Sequence, residues 1–259
     1  MPNESVHVDV ERSEGVATVC INRPRILNAM NSQTLRELIQ TTREQDEDPS
    51  VRAILFTGAG ERAFSAGADL NETGTLEAES LRRFVLLDFR CKAVIAGCRK
   101  PTVAAIQGYA LGGGLELALA CDIRVASTQA VFGFAEVELG TVPGSGGVQR
   151  LPAVVGRGIA CDILFTGRRI DAQEAWRIGL VNYLYTPEEF ASRTKNYVRE
   201  LASRNPVAVQ GIKAALQREM VSAQGIEAGY HGLLALACRV GGGYRKQVDK
   251  VLKKNGEEG

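Results

Sequence analysis

The sequence predicts an α/β domain with parallel strands, followed by a region made almost entirely of helices. Three times, a short apolar strand leads into a loop marked by glycine or proline and then into a helix. This alternation is typical of α/β folds, whose ligands bind beyond the carboxyl ends of the strands. From residue 157 onward, the pattern is helical almost throughout. We therefore expect an α/β core over residues 1–195 and a helical region over residues 196–259.

The first part of the chain predicts a hairpin and a helix. Residues 6–10 and 16–21 are rich in β-branched side chains and flank a Ser-Glu-Gly turn, as in two antiparallel strands at a sheet edge. Pro24 prevents regular structure after the second strand. An Asn-Ser pair at 31–32 then supplies the N-cap of a helix that extends to about Glu47.

Buried strands and one long helix follow. Residues 51–57 and 102–107 are short, nearly continuous apolar runs, as expected of parallel strands that are covered on both faces. A helix over about 76–98 joins them, and shorter strands are predicted at 122–126 and 131–134. The strands at 51–57 and 102–107 end in loops that contain glycine, and glycine allows a ligand to approach the backbone closely.

The C-terminal part predicts a helical module. A single edge strand is predicted at 180–185. The predicted helices cover residues 158–165, 171–178, 187–203, 206–220, 223–239 and 244–254. Amphipathic helices of this kind pack on a core or on a neighbouring subunit, so we expect residues 196–259 to serve in oligomerisation.

Composition and charge argue against several classes of protein. The 259 residues are 45% hydrophobic and carry a formal net charge of +1, so no overall field steers the chain toward nucleic acid or an anionic membrane. No apolar run is long enough to span a membrane, and the polar N-terminal stretch does not resemble a secretory signal. The six cysteines form no C-x-x-C pair and no metal-ligand spacing with histidine. We expect a cytoplasmic protein with reduced thiols and no metal.

One stretch combines free backbone donors with a carboxylate. The sequence GYALGGGLELALA at 108–120 leads from three glycines into an apolar helical pattern, whose only ionisable group at neutral pH is Glu116. The first amides of a helix have no intrahelical acceptor and attract negative charge. Glu116 lies three residues after Gly113, so its side chain falls near the same face. The alternative is an imperfect capping box with Gly113 as the N-cap.

A second carboxylate lies twenty residues further on. Glu136 follows a short predicted strand and precedes a loop rich in glycine at 143–147. If it met Glu116 across a pocket, the two groups would share protons, so that one could act as a base and the other as an acid. Adding water across a double bond requires this division of labour. From the local sequence alone, a solvated loop glutamate is the simpler interpretation of Glu136.

Three motifs together resemble the enoyl-CoA hydratase/isomerase (crotonase) family. They are FSAGADL at 64–70, GYALGGGLELALACDIRVA at 108–126 and FGFAEVELGTVPGSGGVQRLP at 132–152. The stretches at 22–31 and 166–182 are similar as well, so the resemblance covers nearly the whole chain apart from its two ends.

This resemblance implies a fold, an assembly and a set of site residues. The fold would be a crotonase-like spiral of ββα repeats with a C-terminal helical trimerisation module, and the protein a homotrimer or a homohexamer. The backbone amides of Ala68 and Gly113 would form an oxyanion hole for the carbonyl of an acyl-CoA thioester. Glu116 and Glu136 correspond to the two hydratase carboxylates, and Gly144 to the residue whose amide helps to hold the water.

The activity that the resemblance implies is that of a hydro-lyase of fatty acid metabolism. Water would add syn across the 2,3 double bond of a 2-enoyl-CoA to give a 3-hydroxyacyl-CoA. Glu116 would help to deprotonate the water, and Glu136 would deliver a proton to Cα. CoA belongs to the substrate, and no separate cofactor is expected. The alternatives are an enoyl-CoA isomerase that relies chiefly on Glu136, another acyl-CoA-processing crotonase, and a non-enzymatic module that binds acyl-CoA or RNA.

The resemblance also suggests contacts with the CoA part of the substrate. The segment that would cradle the adenine contains Ala66, Ala68, Asp69, Leu70 and Asn71. Arg25 would lie near the phosphates, although a solvated surface charge is an alternative interpretation. Asp69 is also a candidate N-cap for the helix that follows.

The chain departs from the family pattern at its C-terminal end. Many members have an acidic segment followed by a helix that contacts the CoA of a neighbouring subunit. Here, three glycines at 241–243 precede a basic helix at 244–254. A solvated basic face is the simpler interpretation of this helix, so contact between it and CoA is left open.

Overall fold

The computed structural model describes residues 6–224, 248–250, 252 and 253. The strands in this part of the chain are β1 (Val8–Ser13), β2 (Val16–Ile21), β3 (Ala53–Gly58), β4 (Ala63–Ser65), β5 (Thr102–Ile106), β6 (Tyr109–Leu111), β7 (Ile123–Ser127), β8 (Val131–Gly133), β9 (Ile170–Asp171) and β10 (Tyr183–Tyr185). The α-helices are α1 (Ser32–Glu47), α2 (Leu70–Thr73), α3 (Ala78–Ala96), α4 (Gly113–Ala120), α5 (Gly147–Val155), α6 (Arg157–Thr166), α7 (Ala172–Arg177), α8 (Pro187–Ser203) and α9 (Pro206–Gln224). A short 3₁₀ helix covers Pro24–Ile26.

Two sheets organise these elements. The larger has the order β1-β2-β3-β5-β7-β10, and all its neighbours are parallel except β1 and β2. The antiparallel pair confirms the predicted hairpin, whose turn residues Glu14 and Gly15 have φ values of 52° and 77°. The smaller sheet has the order β4-β6-β8-β9 and consists of very short strands. β10 lies at the edge of the larger sheet, as predicted.

The chain repeats a unit of two strands and a helix. β3 of the large sheet is followed by β4 of the small sheet and then by helices; β5, β6 and α4 repeat this order, and so do β7, β8 and α5. The repeated ββα units that the resemblance implies are therefore present. The residue pattern alone predicted loops where β4 and β6 lie, and that part of the prediction was wrong. Three residues give too short a run to show alternation, and their pairing depends on partners that are distant in sequence.

The inner strands β3, β5 and β7 of the large sheet are largely buried, as their apolar runs predicted. Ile54 and Phe56 of β3 belong to the main hydrophobic core with α1 and α3, whereas Ala53 belongs to a second cluster. In that second cluster, Phe190 and Val198 of α8 cover the opposite face of the sheet. Successive residues of a strand face opposite sides, which explains this division.

Most predicted helices are confirmed, and one was missed. α1 begins after Asn31, whose side chain accepts a hydrogen bond from the amide of Thr34 at 2.9 Å, so Asn31 is the N-cap. A glycine-rich loop was predicted at 143–147 and no helix between that loop and residue 157, but α5 begins at Gly147 and contains Pro152. The glycines and the proline concealed the helix in the sequence. Leu151 and Val155 bury its inner face.

The described residues cover only part of the region for which C-terminal helices were predicted. The boundary placed between residues 195 and 196 lies inside α8, which is continuous from Pro187 to Ser203. The helix predicted at 223–239 lies almost wholly outside the described residues, as do the glycines at 241–243. Val248, Lys250 and Lys253 are helical, and Val248 is buried against Gly74 at the end of α2. Within the described residues, no helix is both long and apolar enough to cross a membrane.

Candidate active site

A cavity of about 550 Å³ lies beside the small sheet. Its wall contains residues from three segments that are far apart in sequence: the loop after β4, the β6–α4 junction and the loop before α5. The predicted site residues that line it are Ala66, Ala68, Leu70, Gly113, Glu116, Glu136 and Gly144. The fold thus brings together most of the residues that the sequence singled out.

The amides of Ala68 and Gly113 meet at this cavity. Gly67 has a φ of 95°, and a Cβ placed on it would lie 3.0 Å from the amide nitrogen of Gly113. A Cβ on Gly113 would lie 3.6 Å from the amide nitrogen of Ala68. Gly113 is the first residue of α4, where an amide has no intrahelical acceptor. Glycine at position 67 therefore lets two chain segments approach each other, which leaves two donors at one cavity wall.

Glu116 is buried and held by backbone amides. Only 2% of the residue is exposed, and its Oε1 accepts hydrogen bonds from the amides of Ser145 at 2.7 Å and Gly147 at 2.9 Å. The capping-box alternative is therefore excluded, because Gly112 is the N-cap and Glu116 accepts from another loop. Burial raises the pKa of Glu116 and the Asp88 carboxylate raises it further, while Lys92 and the two amides act in the opposite direction.

Glu136 is also buried in the cavity wall. It is 9% exposed, so it is not the solvated loop residue that its local sequence suggested. A Cβ on Gly112 would lie 2.8 Å from Oε1 of Glu136, which places this carboxylate directly against the glycines that precede α4. The cavity therefore carries two carboxylates from separate elements beside two backbone donors. Such a site can polarise a carbonyl and move protons on both sides of it.

Some of the residues that were suggested to bind CoA line the cavity, and another has a structural role. Ala66, Ala68 and Leu70 line the cavity. Asp69 caps α2 by accepting a hydrogen bond from the amide of Asn71 at 3.1 Å. The Asp69 carboxylate also forms an ion pair with Arg23 at 3.0 Å. Its N-cap role is therefore confirmed.

Arg25 does not line the cavity. It is exposed in the 3₁₀ helix, and Leu27, two residues further along, is the nearest residue of this segment in the wall. This position agrees with a solvated charge at the edge of the site.

Sequence reasoning missed an ion pair next to Glu116. Asp88 and Lys92 of α3 form a salt bridge, and the Lys92 side chain is fully buried. Asp88 lines the cavity and accepts a hydrogen bond from the hydroxyl of Ser145. The detectable signal was two opposite charges four residues apart on the face of α3 that also carries Phe84, Cys91 and Ile95.

The described residues contain no cluster of His, Cys, Asp and Glu that could hold a metal ion. The five cysteines in this part of the chain are free thiols. The site as described thus consists of carboxylates, backbone amides and one buried cation.

Comparisons with known proteins agree with this geometry. The sequence model of the family described as enoyl-CoA hydratase/isomerase matches residues 11–231. The short-chain-enoyl-CoA hydratase of Clostridium acetobutylicum is 44% identical over 83% of this chain and 82% of its own length. The crotonyl-CoA hydratase of Syntrophomonas wolfei is 41% identical over 88% of this chain and 89% of its own.

Solved structures show the same fold. A crystal structure of an enoyl-CoA hydratase from Bacillus anthracis has a TM-score of 0.81 and 34% identity, covering 88% of this chain and 91% of that one. An enoyl-CoA hydratase from Mycobacterium avium subsp. paratuberculosis has a TM-score of 0.87 and 28% identity, covering 95% and 98%. Since the sequence match, the repeated ββα units and the cavity agree, this chain belongs to the enoyl-CoA hydratase/isomerase family.

Proposed function

We propose that this chain is an enoyl-CoA hydratase that adds water syn across the 2,3 double bond of a 2-enoyl-CoA. The observation that carries the proposal is the placement of two buried carboxylates, Glu116 and Glu136, beside the amides of Ala68 and Gly113 in one cavity. Members of the family that only shift a double bond typically change one or both of the two carboxylate positions. Both are glutamate here, which favours hydration.

The two amides would bind the thioester oxygen. When water attacks Cβ, negative charge moves onto this oxygen, and the amides of Ala68 and Gly113 would stabilise the resulting enolate. A preorganised donor of this kind contributes roughly 3–4 kcal/mol to the stability of a transition state. Gly113 is the first residue of α4 and Ala68 lies in the loop after β4, so the fold fixes both amides in place. Little reorganisation is therefore needed when the charge develops.

The two carboxylates would divide the proton transfers. Glu116 would orient the water and accept its proton, with the amide of Gly144 helping to hold the water. Glu136 would deliver a proton to Cα from the same side, which gives syn addition. Because burial raises the pKa of Glu116, its carboxylate is a stronger base than an exposed glutamate would be.

We also propose a short acyl chain for the substrate. Two relatives with more than 40% identity are named for short-chain-enoyl-CoA and crotonyl-CoA. The CoA part would enter past Ala66 and Leu70, which line the same cavity. CoA would arrive as part of the substrate, and no further cofactor would be needed.

The direct test is the loss of ultraviolet absorbance of the conjugated thioester when crotonyl-CoA is mixed with the protein. We expect rapid loss with the wild type, formation of 3-hydroxybutyryl-CoA, and a loss that is about 10²–10⁴-fold slower with Glu136→Gln. A wild type that converts 3-enoyl-CoA to 2-enoyl-CoA but leaves crotonyl-CoA unchanged would contradict hydration and identify an isomerase.

Assembly and cellular context complete the proposal. We propose a homotrimer or homohexamer formed through residues 196–259, acting in fatty acid metabolism in the cytoplasm. Three apolar side chains on α9 support the assembly, because Val207, Ile212 and Leu216 are 79%, 62% and 59% exposed in the single chain. Exposed apolar surface of this kind marks protein interfaces. The near-neutral net charge argues against nucleic acid as a partner.

A further inference from the structure

The ion pair between Asp88 and Lys92 on α3 is unusual because it is almost fully buried. Lys92 is 0% exposed and Asp88 is 13% exposed at the side chain. Removing two charges from water is costly, and a buried pair often stabilises a protein less than apolar side chains of similar size would. The pair therefore calls for an explanation beyond the packing of α3.

A chain of contacts connects this pair to Glu116. One oxygen of Asp88 accepts from Nζ of Lys92, and the other accepts from the hydroxyl of Ser145. The amide of Ser145 in turn donates to Oε1 of Glu116 at 2.7 Å. Asp88 thus holds the residue that holds Glu116.

Lys92 also lies close to the glycines that begin α4. A Cβ on Gly113 would be 3.7 Å from Nζ of Lys92. The ammonium group is therefore enclosed between Asp88 and the segment that carries one proposed oxyanion donor. Asp88 is thus hydrogen-bonded to Ser145, which holds Glu116, and Lys92 lies beside Gly113. Of the two, only Asp88 lines the cavity.

We propose that Asp88 and Lys92 are positioning residues, which fix the amide cradle of Glu116 through Ser145 and balance the charge beside it. The inference rests on the proposed hydration, in which Glu116 is the base. Neither residue is assigned a contact with the reacting atoms.

The charges around Glu116 show why the balance matters. From α3, Asp88 raises the pKa of Glu116 and Lys92 lowers it. From α5, Arg150 is a partly buried cation that interacts with Glu116 and donates to the carbonyl of Ser145 at 3.0 Å. Glu136 lines the same cavity. With both members of the α3 pair present, their opposite effects on Glu116 partly cancel.

A purely structural pair makes a different prediction. If Asp88 and Lys92 only stabilised α3, their removal would lower the stability of the protein and leave the titration of Glu116 unchanged. A measurement of the titration of Glu116 therefore distinguishes a positioning role from a purely structural one.

The first experiment compares the pH dependence of kcat in three variants, Asp88→Asn, Lys92→Met and the double variant. Lys92→Met leaves an unbalanced negative charge, so the acid limb of the profile should move up by about one pH unit, and Asp88→Asn should move it down by a similar amount. At a fixed pH on that limb, this corresponds to an approximately ten-fold change in kcat, with little change in KM. The double variant should fall between the single variants.

The matched control is the exposed pair Glu79 and Arg83. These residues have the same spacing on the same helix, with side chains 64% and 71% exposed and 3.8 Å between the charged atoms. Glu79→Gln with Arg83→Met should leave the profile unchanged.

A second readout does not depend on turnover. The carboxyl carbon of Glu116, followed by ¹³C NMR and assigned by its loss in Glu116→Gln, can be titrated without substrate. Its midpoint should move up in Lys92→Met and down in Asp88→Asn. If the wild type hydrates no enoyl-CoA, the proposed function fails, yet this titration still decides the role of the pair.

The outcomes are distinct. Opposite shifts in the two single variants, with an intermediate double variant, support the proposal. Unchanged midpoints, or shifts in the same direction, overturn it. If one single variant fails to fold, the other and the double variant, in which no unpaired charge remains, still give the comparison.

Discussion

At the scale of single residues, the two glutamates differ in how the fold holds them. Glu116 accepts two amide hydrogen bonds from the loop around Ser145, whereas Glu136 lies against Gly112. Both are buried, and both come from parts of the chain that touch only in the folded state. Their chemistry therefore depends on the tertiary structure.

The first prediction concerns removal of each carboxylate. Glu116→Gln and Glu136→Gln should each lower kcat by about 10²–10⁴-fold, because each removes one proton transfer. Binding of the substrate should change little, since glutamine keeps the size of the side chain. Steady-state kinetics with crotonyl-CoA measure both effects. Wild-type turnover in either variant would refute the assigned role.

The second prediction concerns pH and stability. Because the pKa of Glu116 is higher in the folded state than in the unfolded state, the folded protein binds more protons. This group therefore favours folding below its unfolded pKa and loses that contribution as the pH rises through the folded pKa. Glu116→Gln should gain stability over the wild type across this range, by about 1.4 kcal/mol for each pH unit between the two pKa values.

Urea unfolding of both proteins from pH 4 to pH 8 measures this difference. Glutamine can still accept from the amides of Ser145 and Gly147, so the comparison isolates the charge. A difference that stays constant across the range would contradict the raised pKa.

At the scale of elements, α4 shows that adjacent glycines have separate tasks. A Cβ on Gly113 would make only ordinary contacts, whereas a Cβ on Gly114 would lie 2.2 Å from the carbonyl oxygen of Ser65. Gly114 thus allows α4 to pack against the backbone of Ser65, the last residue of β4. That contact is what brings the amides of Ala68 and Gly113 together.

The third prediction follows from this contact. Gly114→Ala should lower the free energy of unfolding by about 3 kcal/mol, since backbone cannot move aside cheaply. The control is Gly158→Ala in α6, where a Cβ would meet nothing within 4 Å. It should be neutral or raise stability by up to about 1 kcal/mol. Thermal unfolding of the two variants gives the comparison, and equal stabilities would contradict the tight contact.

The sequence predicted elements whose signals are local. The N-cap of α1 and the helical patterns of α1 and α8 were visible in the chain, and so were the apolar strands of the large sheet. β4 and β6 were not predicted from the residue pattern, because pairing with distant strands decides their structure. α5 was missed because Pro152 and the glycines before it suggested a loop.

The site was predictable to a similar extent. Glu116 was singled out by its apolar surroundings. For Glu136, the local sequence favoured a solvated loop residue, and only the family resemblance favoured a catalytic role. Nothing in the local sequence showed that Glu136 is buried. Asp88 and Lys92 were missed because helical spacing shows which side chains share a face and does not show what lies opposite.

At the scale of the whole molecule, the described chain leaves apolar surface uncovered on α9. Ile212 and Leu216 are one turn apart and both largely exposed. They line a second, mostly apolar cleft together with residues of α4 and α5. A neighbouring subunit that packs here would lie close to the elements that carry the active site.

The fourth prediction concerns this surface. Ile212→Asp with Leu216→Asp should convert the proposed trimer or hexamer to a monomer, because charges at an apolar interface are strongly unfavourable. Sedimentation velocity measures the mass of the particle. The control is Phe165→Asp, which changes a side chain that is 75% exposed on α6. Loss of the assembly in the control alone would place the interface elsewhere.

The two proposed oxyanion donors occupy corresponding places in successive ββα units. Ala68 comes three residues after β4, Gly113 comes two residues after β6, and these two strands are parallel neighbours in the small sheet. A single unit would present one such amide, and two stacked units present a pair. In evolutionary terms, duplication of the unit would thus create the anion-binding site and the architecture in one event. The glutamates that distinguish the chemistry could then be acquired afterwards by ordinary substitution.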